Sequence, residues 1–287
     1  MIGPKLSLGD VDSFIISPDK TKVAVLGDLE TDNVFELFVI SLVDGTSPVK
    51  VSGTLVAGGN VSDFQWSPDS RRLAYLADQT NQEFELYSVF TDSTGSVKFS
   101  GAMLSNGNAH SDFEWSPDSN RLAYRADETT NKVFELYRAL ATGTGNVKVF
   151  VAQVLNGDVI NFLWSPDGSL LAYRADKTTQ GVLELYTVSA TGTVSTKVSA
   201  TLMSGGNVLG FLWSPGNSRL AYLADQATDG ISELYSALPT SAVSSIRASG
   251  DMVSGGSVPF IFDFKWSPDS SRLAYRADQT TDEVFEL

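Results

Sequence analysis

The chain has 287 residues, 42% of them hydrophobic, no cysteine and a formal net charge of -14. That charge argues against nucleic acid and anionic membrane surfaces as partners, because no basic stripe is present to meet phosphate. The absence of cysteine rules out disulfides and thiolate metal sites, and no apolar stretch has the length of a signal h-region or a membrane span, so no membrane insertion is expected.

In chain order, a Ser-Pro step recurs at Ser17, Ser67, Ser116, Ser165, Ser214 and Ser267, with spacings of 50, 49, 49, 49 and 53 residues. Periods of this size signal a repeat architecture in which each unit buries its faces against its neighbours. The units run about 10-60, 61-109, 110-158, 159-207, 208-258 and 259-287, the last completed by 1-9, and together they form one domain. The N-terminal Pro4-Lys5-Leu6-Ser7-Leu8-Gly9 has the phase of Val49-Lys50-Val51-Ser52-Gly53, and predicts a closing fourth strand for the last unit.

The second unit shows what each one builds. Val61 to Trp66 alternates apolar and polar and predicts a strand. Ser67-Pro68-Asp69-Ser70 predicts a tight turn, with Pro68 presetting φ and Ser67 bonding back to the turn backbone. Arg72 to Ala77, Glu83 to Phe90 and Val97 to Ser100 follow as three further strands separated by turn residues. No stretch carries a sustained helical period, so the expectation is all-β: a six-bladed β-propeller of four-stranded antiparallel blades. Ile16 replaces the Trp of the first unit, Leu170 replaces the basic residue of the fourth, and Gly216-Asn217 replaces Asp-Ser in the fifth.

The stretch Trp115-Ser116-Pro117-Asp118-Ser119-Asn120-Arg121-Leu122-Ala123-Tyr124 resembles the repeat of TolB-like propellers, the PD40 repeats related to WD40. The resemblance covers nearly the whole chain. It implies the propeller fold and favours an extracellular or periplasmic location. For function it leaves open protein interaction, peptidase gating and other roles.

Two acidic positions recur in every unit. One closes the second strand, at Asp28, Asp78, Asp127, Asp176, Asp225 and Asp278; the other opens the third, at Glu36, Glu85, Glu135, Glu184, Glu233 and Glu286. The structural reading is that the Asp caps its turn and the Glu pairs across strands with Arg72, Arg121, Arg125 or their equivalents. The sharper reading is calcium: Asp28, Glu30 and Asp32, and Asp225 with Asp229, echo the start of an oxygen-ligand calcium loop. A third acidic position, three before the Trp, holds Ser13, Asp63, Asp112, Asn161, Gly210 and Asp263. At a channel mouth Asp63, Asp112, Asn161 and Asp263 hold a cation, water or a basic partner side chain, or are merely solvated.

Symmetry breaks in the last unit, where Val258-Pro259-Phe260-Ile261-Phe262 carries three extra residues and makes an apolar loop. Phe260 and Ile261 either plug the channel mouth or form an exposed contact patch. His110 is the single histidine and reads as a surface-loop residue, while Trp66, Trp115, Trp164, Trp213 and Trp266 read as packing between blades. No Gly-x-Ser-x-Gly elbow, Walker loop or His-Glu-x-x-His occurs, so no catalytic residues are assigned. The leading expectation is a non-catalytic binding or scaffold module for a protein or peptide, most readily a cationic one, contacted through the acidic loop face and channel mouth. Its alternatives are a calcium-stabilised extracellular structural or adhesive module, and a hydrolase or peptidase-gating propeller.

Overall fold

Short runs that alternate apolar and polar residues, joined by tight turns, bury their apolar surface only by stacking small sheets face to face. A computed structural model describes residues 9-80, 83-150, 152-228, 230-241, 244-260, 263-281 and 283-287. Among these residues there is no α-helix, and the strands form five four-stranded antiparallel sheets and one two-stranded sheet. Each larger sheet keeps its four strands in sequence order, the meander that makes a propeller blade. The second blade consists of Val61–Trp66, Arg72–Ala77, Glu85–Phe90 and Val97–Lys98. The last has Phe264–Trp266 and Leu273–Tyr275, followed by a single bridge between Ala277 and Glu286.

The chain divides into two compact units, Met1–Lys148 with the first three blades and Val149–Leu287 with the rest. The closing strand expected from residues 4-9 falls, Gly9 apart, on residues outside the described ones.

The Ser-Pro-Asp turn is built as its sequence dictates. In the second blade Ser67 Oγ donates to Asp69 Oδ1 at 2.6 Å and accepts the Arg72 amide at 3.0 Å, while Ser70 N returns to Ser67 O at 2.9 Å. The fourth turn position is left-handed in every blade, at Lys20, Ser70, Ser119, Gly168, Asn217 and Ser270, with φ between 59° and 69°. A non-glycine residue there costs about 1 kcal/mol, and a second role explains why serine is used. Ser70 Oγ accepts the Asp19 amide of the preceding blade, and Ser119 Oγ accepts that of Asp69, both at 3.0 Å. In the second unit Asn217 Oδ1 and Ser270 Oγ do the same for Asp167 and Gly216.

Between blades the packing repeats. Phe64, Trp66, Leu73 and Tyr75 of the second blade close on Ala24, Leu26, Leu37 and Val39 of the first, all of them buried. The Trp66 indole N–H donates to Ile15 O at 2.9 Å, and Trp213 to Leu163 O at 3.2 Å. Within blades, Tyr75 stacks on Tyr87, Tyr124 on Tyr137, Tyr173 on Tyr186 and Tyr222 on Tyr235, with centroids 5.3 to 5.6 Å apart. The first blade is atypical: Phe14 and Ile16, which take the places of Phe64 and Trp66, are 65% and 51% exposed.

Because Ser116 is fully buried and holds both Asp118 and the Arg121 amide, replacing it by Ala strands those partners. The expected loss is about 1 to 2 kcal/mol, read as a lower midpoint in urea unfolding with unchanged slope.

Candidate functional site

The recurring acids are the first candidates, and most of them hold the fold together. Asp127 Oδ1 accepts the Asn108 amide at 2.5 Å and Oδ2 the Lys132 amide at 2.9 Å, joining the loop before the first strand to the loop after the second. Asp176 does the same for Asp158 and Gly181, at 2.5 and 3.0 Å. Both loops therefore lie on one end of each blade, and the carboxylate caps more than its own turn.

The third-strand Glu is a buried anion with a full set of donors. Glu85 takes Tyr87 OH at 2.5 Å, Thr80 Oγ1 at 2.7 Å and the Lys98 ammonium. Glu135 and Glu184 repeat this with Tyr137, Thr129 and Lys148, and with Tyr186, Thr178 and Lys197. Glu233 pairs with Tyr235 and Arg247. The basic partner thus comes from the fourth strand, which corrects the expected pairing with Arg72, Arg121 and Arg125. Arg72 instead lies 3.6 Å over the Phe90 ring, Arg121 sits 3.9 Å from Asp118, and Arg125 faces Asp112. The signal that sequence reading passed over is Glu-Leu-Tyr followed by a basic residue 13 or 14 positions on. Phe38 breaks it in the first blade, and Glu36 Oε2 is left without a partner.

Of the calcium candidates, Asp28 accepts the Asp10 and Asn33 amides, Asp225 accepts Asn207 N at 2.5 Å, and Glu30 pairs with Lys50 at 2.8 Å. Asp32 is exposed, and Asp229 lies outside the described residues. Among the described residues no group of three or more His, Asp or Glu is placed to hold a metal ion.

The row three before the Trp differs from blade to blade, and the residue facing it on the second strand differs with it. Ser13 faces Leu26, Gly210 faces Leu223, and Asn161 faces Arg174, whose Nε donates to Asn161 Oδ1 at 3.1 Å. Arg125 Nε lies 2.5 Å from Asp112 Oδ2, and Arg276 Nη2 lies 3.0 Å from Asp263 Oδ1. The Asp and Asn residues therefore meet arginine and the small Ser13 and Gly210 meet leucine, with one exception. Asp63 faces Leu76, and its carboxylate accepts the Phe64 amide at 2.7 Å. Burial pushes the Asp63 carboxyl above its ordinary range, against the pull of that amide.

His110 lies in the first strand of the third blade, Ala109–Trp115, rather than in a loop. Its Nδ1 is 2.6 Å from Asp112 Oδ1, and its ring meets Phe134 edge-on at 5.3 Å. Phe260 is 63% exposed in the extended loop of the last blade, and Ile261 lies outside the described residues. The five Trp side chains are buried or half-buried in the sheet packing.

No protein-family model and no curated protein sequence matches the chain. Solved structures do. Dipeptidyl peptidase 4 of Porphyromonas gingivalis aligns with a TM-score of 0.70 and 12% identity over 95% of this chain and 43% of that one. An oligogalacturonate lyase in complex with manganese aligns at 0.51 and 13% identity, over 93% and 85%. A TolB protein of Agrobacterium tumefaciens gives 0.47 and 16% identity, over 85% and 80%. The chain spans less than half of the peptidase, and at these identities the first two likenesses establish the shared fold alone.

Two outcomes are expected. Asp63→Asn removes a carboxylate whose ionisation burial opposes, so its thermal midpoint at neutral pH rises; Asp112→Asn removes the carboxylate that meets Arg125 Nε, so the unfolding free energy falls by about 1 to 2 kcal/mol. For Glu85 and Glu184 burial opposes ionisation, yet the ammonium of Lys98 or Lys197 and the Tyr and Thr hydroxyls outweigh it and hold both carboxyls below the ordinary Glu value. Acids depressed in this way stabilise the fold above their unfolded pKa, and that stability is lost as pH falls through the folded value. Melts in steps below about pH 4.5 are expected to show a falling limb that Glu85→Gln flattens, from a lower starting stability.

Proposed function

We propose that the chain is a non-catalytic binding module for a protein or peptide that presents a cationic side chain. The observation that carries the reading is Asp63. Of the Asp and Asn residues in the row, Asp112, Asn161 and Asp263 each have an arginine partner, whereas Asp63 faces Leu76 at a cost in desolvation. A charged group kept where the scaffold does not use it is a mark of binding. An ammonium or guanidinium donating to Asp63 supplies the counter-charge that Arg125 gives Asp112. The net charge of -14 steers such partners toward the molecule at low ionic strength.

Phe260 is proposed as a separate apolar contact in the second unit. Exposure of 63% at a residue inserted into only one blade supports the patch reading over the plug. A second reading, the propeller portion of a peptidase, is supported by the match to 43% of the Porphyromonas gingivalis enzyme. It predicts partner chain or domain contacts and no peptide turnover by this chain alone.

Fluorescence anisotropy with a panel of Lys- and Arg-bearing peptides tests the binding reading. Affinity in low salt is expected to fall by roughly tenfold or more on Asp63→Asn, the size of one charge-assisted hydrogen bond. Asp251→Asn, on an exposed carboxylate paired to Arg247, is expected to change little. Equal affinities of wild type and Asp63→Asn across the panel contradict the proposal.

A further inference from the structure

The fourth blade pairs Arg174 of its second strand with Asn161 of its first, where the last blade pairs Arg276 with Asp263. A guanidinium presents Nε–H and one Nη2–H side by side, a fork that fits the two oxygens of a carboxylate. Asp112 brings that charge to Arg125, and Asp263 brings it to Arg276. Asn161 brings a single acceptor, its Oδ1, which takes Arg174 Nε at 3.1 Å. The other arm of an amide is a donor, whichever way the group is turned.

Arg174 Nη1 reaches the fifth blade, donating to Val208 O at 3.0 Å and to Leu209 O. These carbonyls hold the side chain in place without neutralising it. Among the described residues no carboxylate pairs with Arg174, and neither its Nη2 nor Asn161 Nδ2 meets an acceptor. Both side chains are only half-buried, so a ligand can reach them. Burial pushes the guanidinium below its ordinary value, and no nearby acid draws it back.

The surface beside this charge is apolar. Just before the row position the first strand bulges by one residue, and a bulge turns its unpaired side chain away from the ladder. The bulged residue is Asp12 in the first blade and Ser62 in the second, but Ile160 in the fourth and Leu209 in the fifth, all of them exposed. The Arg174 guanidinium is bonded to the residue that follows Ile160 and to Leu209 itself.

We propose that this point of the second unit binds the free carboxylate of a peptide C-terminus that ends in an apolar residue. The carboxylate accepts from Arg174 Nη2 and Asn161 Nδ2, and the terminal side chain covers Ile160 and Leu209. A C-terminal residue suits the place because its carboxylate and side chain leave the same carbon. The site is separate from Asp63 and takes the opposite charge, so either stands without the other.

An NMR titration of the full chain tests this with an N-acetylated peptide of uncharged residues ending in leucine, supplied as the free acid and as the C-terminal amide. The acid is expected to shift the Asn161 side-chain amide and the Ile160 and Leu209 methyl signals saturably, and to bind roughly tenfold or more tighter than the amide. Equal affinities overturn the proposal. Asn161→Asp brings the missing charge from within, as Asp263 does, so its thermal midpoint is expected to rise and its affinity for the acid to fall by a similar factor. Undiminished binding by that variant also overturns it. A peptide amide with an internal glutamate that binds as tightly as the leucine acid overturns the assignment to a C-terminus and identifies a side-chain carboxylate as the occupant.

Discussion

A four-stranded blade with apolar residues on both faces cannot fold alone, and this constraint shapes most of the chain. Within each compact unit one blade sets its Phe and Trp side on the Ala, Leu and Val side of the blade before, as the first two blades show in one unit and the fourth and fifth in the other. Apolar burial brings the sheets together without fixing how far one slides past the other. Directional bonds do that: the turn serine or asparagine that accepts an amide from the preceding blade, and the Trp indole that reaches a carbonyl across the interface. Asn60, Asn108 and Asn207 add a further one, each accepting the amide that precedes the third strand of the blade before.

The same economy explains the charges. An acidic protein that repeats two carboxylates per blade invites a metal or catalytic reading, yet Asp127 and Asp176 hold two loops apiece, and Glu85, Glu135 and Glu184 are enclosed by Lys, Tyr and Thr. A buried carboxylate is tolerable because its donors are complete. Functional candidates are then the places where one blade lacks what the others have. Asp63 is such a place, with leucine opposite where Asp112 and Asp263 meet arginine.

Much of the fold was legible because a period of about fifty residues exposes each structural position six times. The strand, turn and hairpin of the Ser-Pro-Asp segment follow from local chemistry, and the structure reproduces them. Third-strand partners were not legible in the same way. Pairing Glu85 with Lys98 depends on the register of a two-residue fourth strand, which no local propensity fixes. His110 was assigned to a loop because Asn106, Gly107 and Asn108 precede it, but it stands five residues before Trp115, the position at which the first strands of the neighbouring blades already begin. The contrast between Asp63 and Asp112 is invisible along the chain, since Leu76 and Arg125 become informative only once the strands are paired.

The most direct test is a carbon-detected NMR titration of the Asp side-chain carboxyls, in the free protein and with a saturating basic peptide. The account predicts that Asp63 titrates above the ordinary carboxylate value when free and moves downward when the peptide is bound. An Asp63 that titrates at or below the ordinary value, or that ignores the peptide while other carboxyls respond, contradicts it.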